Sequence, residues 1–254
     1  MAMIEGLTHL GLGKVDDGRT LLPRVLPGEE ISVTQDGTVR IVTPSADRVA
    51  APCRHFKTCG GCAMQHANDE FVANWKLEIV QKALTAQRIS TTYRDVLTSP
   101  ARSRRRAKIA GKRTKSGAML GFHAKGTHNL IATPDCQLLA PGIMDAFPAL
   151  EKLVVIAASR KAEIALTVTE TAAGLDVFVD TETPLTPELR QTLAVFAQDN
   201  GIARLVWPDE PVVTMNSPEQ AFGNTRVTPP AGAFLQATKH GEASLLGAVD
   251  EITK

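Results

Sequence analysis

Three of the chain's four cysteines fall within ten residues, Cys53, Cys59 and Cys62 of CRHFKTCGGC, and the fourth, Cys136, stands in TPDCQLLAP. Thiolates bind soft metals and undergo redox exchange, so this spacing raises three chemistries. A structural zinc site usually presents two close ligand pairs. Here there is one pair, one neighbour and one remote single, with His55 and His66 as possible substitutes. A redox dithiol at Cys59-Gly60-Gly61-Cys62 wants a preceding strand and a helix N-terminus at its first thiol. The lead-in through Pro52 and the paired glycines suit that poorly. An iron–sulfur cubane takes one thiolate on each iron, and three ligands from a tight loop plus one from elsewhere fit it best. Gly60 and Gly61 would let backbone amides approach the sulfides. On this reading Cys53, Cys59, Cys62 and Cys136 hold a [4Fe–4S] cluster, and Cys136 fastens the central domain to the N-terminal one. Four unrelated buried cysteines is the plain alternative, at odds with the clustering.

A second concentration of chemistry lies at residues 101–115, ARSRRRAKIAGKRTK, where Arg102, Arg104, Arg105, Arg106, Lys108, Lys112, Arg113 and Lys115 occur with no acid among them. Such a run neutralises phosphates, and arginine planes stack on unpaired bases. On strands, alternation puts Arg104 and Arg106 on one face and Arg105 on the other, with Lys112, Arg113 and Lys115 at a hairpin tip. A solvated basic hairpin with no partner is the bland reading. The wider charge pattern favours a polyanion: residues 1–144 carry 20 Lys and Arg against 12 Asp and Glu, while residues 145–254 carry 8 against 15. The formal net charge of +1 hides this division.

The elements that must position these groups can be read from turns and caps. Residues 1–50 show short apolar runs broken by Asp17-Gly18, Pro27-Gly28 and Asp36-Gly37, the pattern of a small β-barrel. From Asn68 or Asp69 as cap, Phe71, Val72, Trp75, Ile79, Val80, Ala83 and Leu84 recur at helical spacing to near Arg88, with Phe71 and Trp75 expected in the core. RRRAKIAG and GAMLGFHA read as a hairpin around KRTKSG, and EIALTVTE and GLDVFVD as a second hairpin turning at Thr171–Gly174. TPLTPELRQTLAVFAQDNG is a marked helix, with Thr186 as N-cap, Pro187 at N1 and Gly201 past its end. IARLVW and PVVTM suggest further strands, and FLQATKHGEASLLGAVDEITK one last helix. No apolar run reaches the roughly 20 residues of a membrane span. No signal peptide is legible in MAMIEGLTHLGLGK, so a cytoplasmic location with reduced thiols is expected and no membrane partner.

The order of these features resembles the iron–sulfur-containing RNA 5-methyluridine (uracil-C5) methyltransferases, the bacterial ribosomal RNA type above all. GLGKVDDGRTLLPRVLPGEEI resembles that family's TRAM barrel, and the four cysteines match its cluster ligands. GFHAKGTHNLIATPDC matches the approach to the fourth of them. PPAGAFLQAT resembles the segment opening the methyltransferase domain, where the resemblance implies that Gln236 contacts S-adenosylmethionine.

In that family a Rossmann-like domain follows, with a cysteine that adds to uracil C6 and a glutamate that removes the C5 proton. Uracil C5 is too weak a nucleophile to accept a methyl group until a thiolate has added at C6. A base must then strip the C5 proton to free the product. Neither group is found in this sequence, so no catalytic residue is assigned and the chain is expected to be inactive alone, the front two-thirds of such an enzyme. A separate chain is a possible source of the missing domain.

The expected fold is therefore a multidomain α+β protein. It comprises a TRAM- or OB-like barrel at 1–51, a cysteine loop at 52–68 and a central RNA-binding domain with an antiparallel sheet at 69–228. The start of a Rossmann-like methyltransferase domain follows at 229–254. The expected partner is RNA, ribosomal RNA in particular, and the expected cofactors are the [4Fe–4S] cluster and, with a complete catalytic domain, S-adenosylmethionine. The competing function is a non-catalytic iron–sulfur RNA-binding module.

Overall fold

The computed structural model describes residues 1–208 and 210–253, so Lys254, the last residue of the expected methyltransferase start, lies outside it. The chain divides into two compact units, residues 1–57 with 61–98, and residues 58–60 with 99–254.

In the first unit, β1 (Ala2–Leu7), β2 (Leu12–Val15), β3 (Leu21–Pro23), β4 (Glu30–Val33) and β5 (Val39–Thr43) form an antiparallel sheet in the order β3-β2-β1-β4-β5. It curls over Ile4, Val15, Val25 and Ile31. The turns fall at the expected dipeptides, and the strands they join form a curled five-stranded sheet. Among the described residues no pairing joins β3 to β5. Helix α1 (Asp69–Ala86) begins where expected, with the Asn68 carboxamide oxygen accepting from the Phe71 amide at 2.7 Å. Phe71, Val72 and Trp75 pack on Leu26, Met64 and Ala67. That apolar contact groups α1 with the small sheet, whereas the sequence placed it in the central domain.

One buried carboxylate organises this unit. Glu29 is wholly buried, and its oxygens accept from the Leu26 amide at 2.8 Å, the Ser45 amide at 3.2 Å and the Arg48 guanidinium. Burial pushes this carboxyl up, but the bonds from Arg48, Leu26 and Ser45 outweigh it and hold it below the ordinary range.

The second unit holds a seven-stranded sheet. Its elements are β6 (Arg106–Arg113), β7 (Ala118–His123), β8 (Leu130–Ala132), α2 (Pro141–Asp145), α3 (Phe147–Ala157), β9 (Glu163–Thr171), β10 (Gly174–Asp180), α4 (Pro187–Asp199), β11 (Ile202–Val206) and β12 (Pro211–Thr214). The strand order is β12-β11-β10-β9-β6-β7-β8. The expected antiparallel sheet is mixed, because β10 and β11 run parallel. A parallel neighbour needs a crossover, and α4 supplies it. Thr186 caps that helix through the Leu189 amide, and Gly201 leaves it at φ +63°. Alternate residues of the strands, among them Ile109, Leu166, Val168 and Val177, join Leu150, Leu153, Leu193 and Phe196 of α3 and α4 in one core. At Gly111 a Cβ would stand 2.5 Å from Val154, so its absence lets α3 approach β6.

A short hairpin, β13 (Gln220–Phe222) with β14 (Thr225–Val227), follows, and then α5 (Lys239–Thr253). The final helix starts five residues later than FLQATKHG suggested. Residues 234–238 run beside the Arg104–Arg105 backbone instead, with the Arg105 amide donating to the Ala237 carbonyl at 2.8 Å. No strand falls within described residues 229–253, so nothing there builds a Rossmann-like sheet. No helix is long and apolar enough to cross a membrane among the described residues.

His66 is buried in the first unit, stacked on Phe56 with ring centroids 5.6 Å apart, and faces Glu29, Arg48 and Arg24. Burial holds its pKa below the ordinary histidine value. The unfolded chain then takes up this proton at a higher pH than the folded one. Stability is expected to fall as pH drops through about 6.5, by up to about 1.4 kcal/mol per pH unit, until the folded imidazole itself titrates. Urea midpoints at pH 7.5 and 5.5 check this: His66→Phe should flatten the difference, and an equal difference in parent and variant would refute the assignment.

Candidate nucleic-acid interface and cysteine loop

The cysteine loop is held by backbone bonds at defined points. The Cys53 amide donates to the Gln65 side chain at 3.3 Å, and its carbonyl accepts from the Phe56 amide at 3.1 Å. In the second unit Cys59 forms a β-bridge with Ala124, and the Gly60 amide donates to the His123 carbonyl at 2.9 Å. A Cβ at Gly60 would stand 2.8 Å from that carbonyl oxygen and 3.0 Å from the Lys125 amide nitrogen. Only glycine fits. Cys53, Cys59 and Cys62 are half-buried and Cys136 is buried. Among the described residues no three His, Cys, Asp or Glu side chains stand together as a metal-holding group. The ligand reading therefore rests on the chemistry of the donor set and not on an assembled site.

The structure splits the eight basic residues into two groups. Arg102, Lys108, Lys112, Arg113 and Lys115 are exposed, the last three around the β6–β7 turn as expected. Lys108 pairs with Asp180 at 2.8 Å, and Arg102 donates twice to the Gln137 side chain. Arg104 and Arg106 are half-buried and bound to carbonyls, Arg104 to that of Arg106 at 3.1 Å and Arg106 to those of Gly232 and Ala233 at 2.8 and 2.9 Å. Arg105 is 4% exposed and pairs with Glu242 at 2.5 Å. Alternation separated Arg105 from its neighbours, but the sequence put it on an accessible face. Its partner lies 137 residues away, which no local pattern reveals.

The open face of the sheet carries a groove of about 840 Å³, bordered by Lys108, His123, Glu163, Asp180, Glu182 and Thr183. His123 and Glu163 pair at 2.6 Å. Three acids stand against Lys108 and His123 on its walls, so the exposed cations around the turn are the surface better suited to a polyanion. Gln236 is half-buried and borders a second groove, of about 560 Å³, with Phe222, Lys239, Leu245, Leu246 and Val249.

No protein-family model matches the sequence. It is 34% identical over 247 residues to an uncharacterized RNA methyltransferase of Agrobacterium fabrum, covering 92% of this chain and 59% of that protein. An uncharacterized RNA methyltransferase of Zymomonas mobilis matches at 30% over 264 residues, 99% of this chain and 63% of the relative. The 23S rRNA (uracil(1939)-C(5))-methyltransferase RlmD of Halomonas elongata is 32% identical over 167 residues, 60% of this chain and 35% of that enzyme. The chain thus spans about three-fifths of the length of the first two.

Gly60→Ala is expected to break the loop's attachment to the β7 end, because both opposing atoms are backbone. Destabilisation of about 1–3 kcal/mol should follow. Denaturant unfolding together with amide exchange at residue 60 measures it, and parent-like behaviour in both would show that the close approach carries no constraint.

Proposed function

We propose that this chain is the RNA-recognising part of an RNA uracil-C5 methyltransferase that acts on ribosomal RNA in the cytoplasm with S-adenosylmethionine as methyl donor. The similarity over 92% of the chain to RNA methyltransferases carries the reading, and the 32% match to a uracil-C5 enzyme supplies the base. Exposed Lys112, Arg113 and Lys115 support the RNA contact, as phosphates gain most from cations that water and substrate can both reach. Arg102 and Lys108 are exposed as well, engaged with Gln137 and Asp180.

In the same reading Cys53, Cys59, Cys62 and Cys136 ligate a [4Fe–4S] cluster, supported by four thiols of which three share one loop. Bound there, such a cluster supplies a rigid cross-link of four chain positions. Its role is structural. With a complete methyltransferase domain, Gln236 meets the methyl donor from the edge of the α5 groove. With all four cysteines committed as ligands, the thiolate that adds to C6 comes from sequence other than these 254 residues, in the same polypeptide or a separate one.

Three measurements on anaerobically purified chain test this. Iron and sulfide should each approach about four per chain, the cubane stoichiometry, and fall when any of the four cysteines becomes serine. Single-stranded RNA affinity should fall with salt, and replacing Lys112, Arg113 and Lys115 by alanine should shallow the log–log slope by about 2. Incubation with RNA and S-adenosylmethionine should yield no 5-methyluridine. A metal-free, compact protein would end the cluster reading, a salt slope unchanged by the triple variant the RNA surface, and product formation the claim of inactivity.

A further inference from the structure

Arg105 belongs, by sequence, to a run suited to phosphates, yet its guanidinium is spent inside the fold. Nε donates to the Gln236 carbonyl at 3.2 Å, Nη1 to the Gln220 side chain at 3.5 Å and Nη2 to the Glu242 carboxylate at 2.5 Å. The Arg105 amide donates to the next carbonyl, that of Ala237. Two consecutive carbonyls, at Gln236 and Ala237, are thus held by one residue. The following residue, Thr238, forms a β-bridge with Arg104, and its hydroxyl accepts from the Gly241 amide at 2.9 Å in the first turn of α5. Glu242 lies in that same turn, so one ion pair fixes the segment and the helix that follows it.

From this geometry we infer that Arg105 is a positioning residue, which fixes the backbone of Gln236 and leaves its carboxamide at the groove beside α5. The assignment deepens the proposed function, since its use in methyl transfer rests on Gln236 as the cofactor contact. The clamp itself does not. The planar fork is what the task requires: three donors reach three separate acceptors, which a lysine ammonium on a single stem does not reproduce. The residue is also closed to RNA. At 4% exposure a phosphate reaches it only if the half-buried Glu242 carboxylate is displaced.

The test compares the 254-residue chain with Arg105→Lys and with Arg105→Met/Glu242→Met, the second removing both charges together so that neither is stranded. Amide exchange at residues 105 and 241 and at position 242 should quicken at least about tenfold in both, as expected for loss of a charge-assisted bond. Exchange at Val168 and Val177, inside the sheet, should keep its rate. RNA affinity and its salt slope should stay within about twofold of the parent. A general loss of stability would not separate the α5 junction from the sheet in this way. Unchanged exchange in both variants overturns the clamp. So does a drop in salt slope matching that of Lys112→Ala, which would make Arg105 a phosphate contact. Exchange at Val168 and Val177 that quickens as much as at residue 241 overturns the clamp too, since a general loss of stability would then explain both.

Discussion

An arginine withdrawn from water must meet a carboxylate and enough carbonyls to use its remaining donors, or the fold does not keep it there. Three such arginines decide how the irregular parts of this chain are fastened. In the first unit Arg48 meets the wholly buried Glu29 and also donates to the Arg24 carbonyl, which ties residues 45–48 to the turn before β4. In the second, Arg204 forms two 2.8 Å bonds with Asp176 and a third with the Pro229 carbonyl. Arg105 and Glu242 complete the set. Arg48 and Arg204 also reach carbonyls in segments without regular structure, and Arg105 joins the approach to β6 to the first turn of α5. Removing one partner leaves a charge that is at best partly solvated, so these pairs specify the path of the chain more than they add stability.

The same accounting divides the basic run by function. Arginines 104 to 106 give their donors to carbonyls and to Glu242, and they shape the segment that carries Gln236. Lys112 and Arg113 at the end of β6, and Lys115 in the turn after it, stay in solvent. The open sheet face between them is acid-walled, with Lys108 already matched by Asp180. The turn therefore suits a polyanion better than the sheet face does, although all eight cations of residues 101–115 were candidates for RNA contact.

What could be read from the sequence follows from the range of each signal. Caps and turns act over three or four residues, so Asn68, Thr186 and the two hairpin turns placed α1, α4, β6–β7 and β9–β10 correctly. Helices α2 and α3 went unread. The first has five residues, and the apolar run LVVIAA in the second has no clear helical face because the core and the sheet cover so much of it. The late start of α5 depends on Arg105 claiming the Ala237 carbonyl, a contact 132 residues distant. Barrel closure and the parallel β10–β11 pair are likewise long-range outcomes. Of the candidate site, residue types and the basic turn were legible, while burial of Arg105 was not.

The cysteine loop shows how far residue type and backbone path each reach. Ligand chemistry can be inferred from thiols alone, since few other uses require three in ten residues. Glycine adds a separate constraint, visible only once the fold is known: Gly60 lies against the His123 carbonyl with no room for a side chain. That contact fixes the direction from which Cys59 enters, and it does so through main-chain bonds that require no metal. The loop is thus anchored next to Cys59 by hydrogen bonding, and a cluster bound by all four thiolates would act on a segment whose course is already restricted. Such restriction lowers the conformational entropy lost on ligation, which favours a site of scattered ligands over a freely mobile loop.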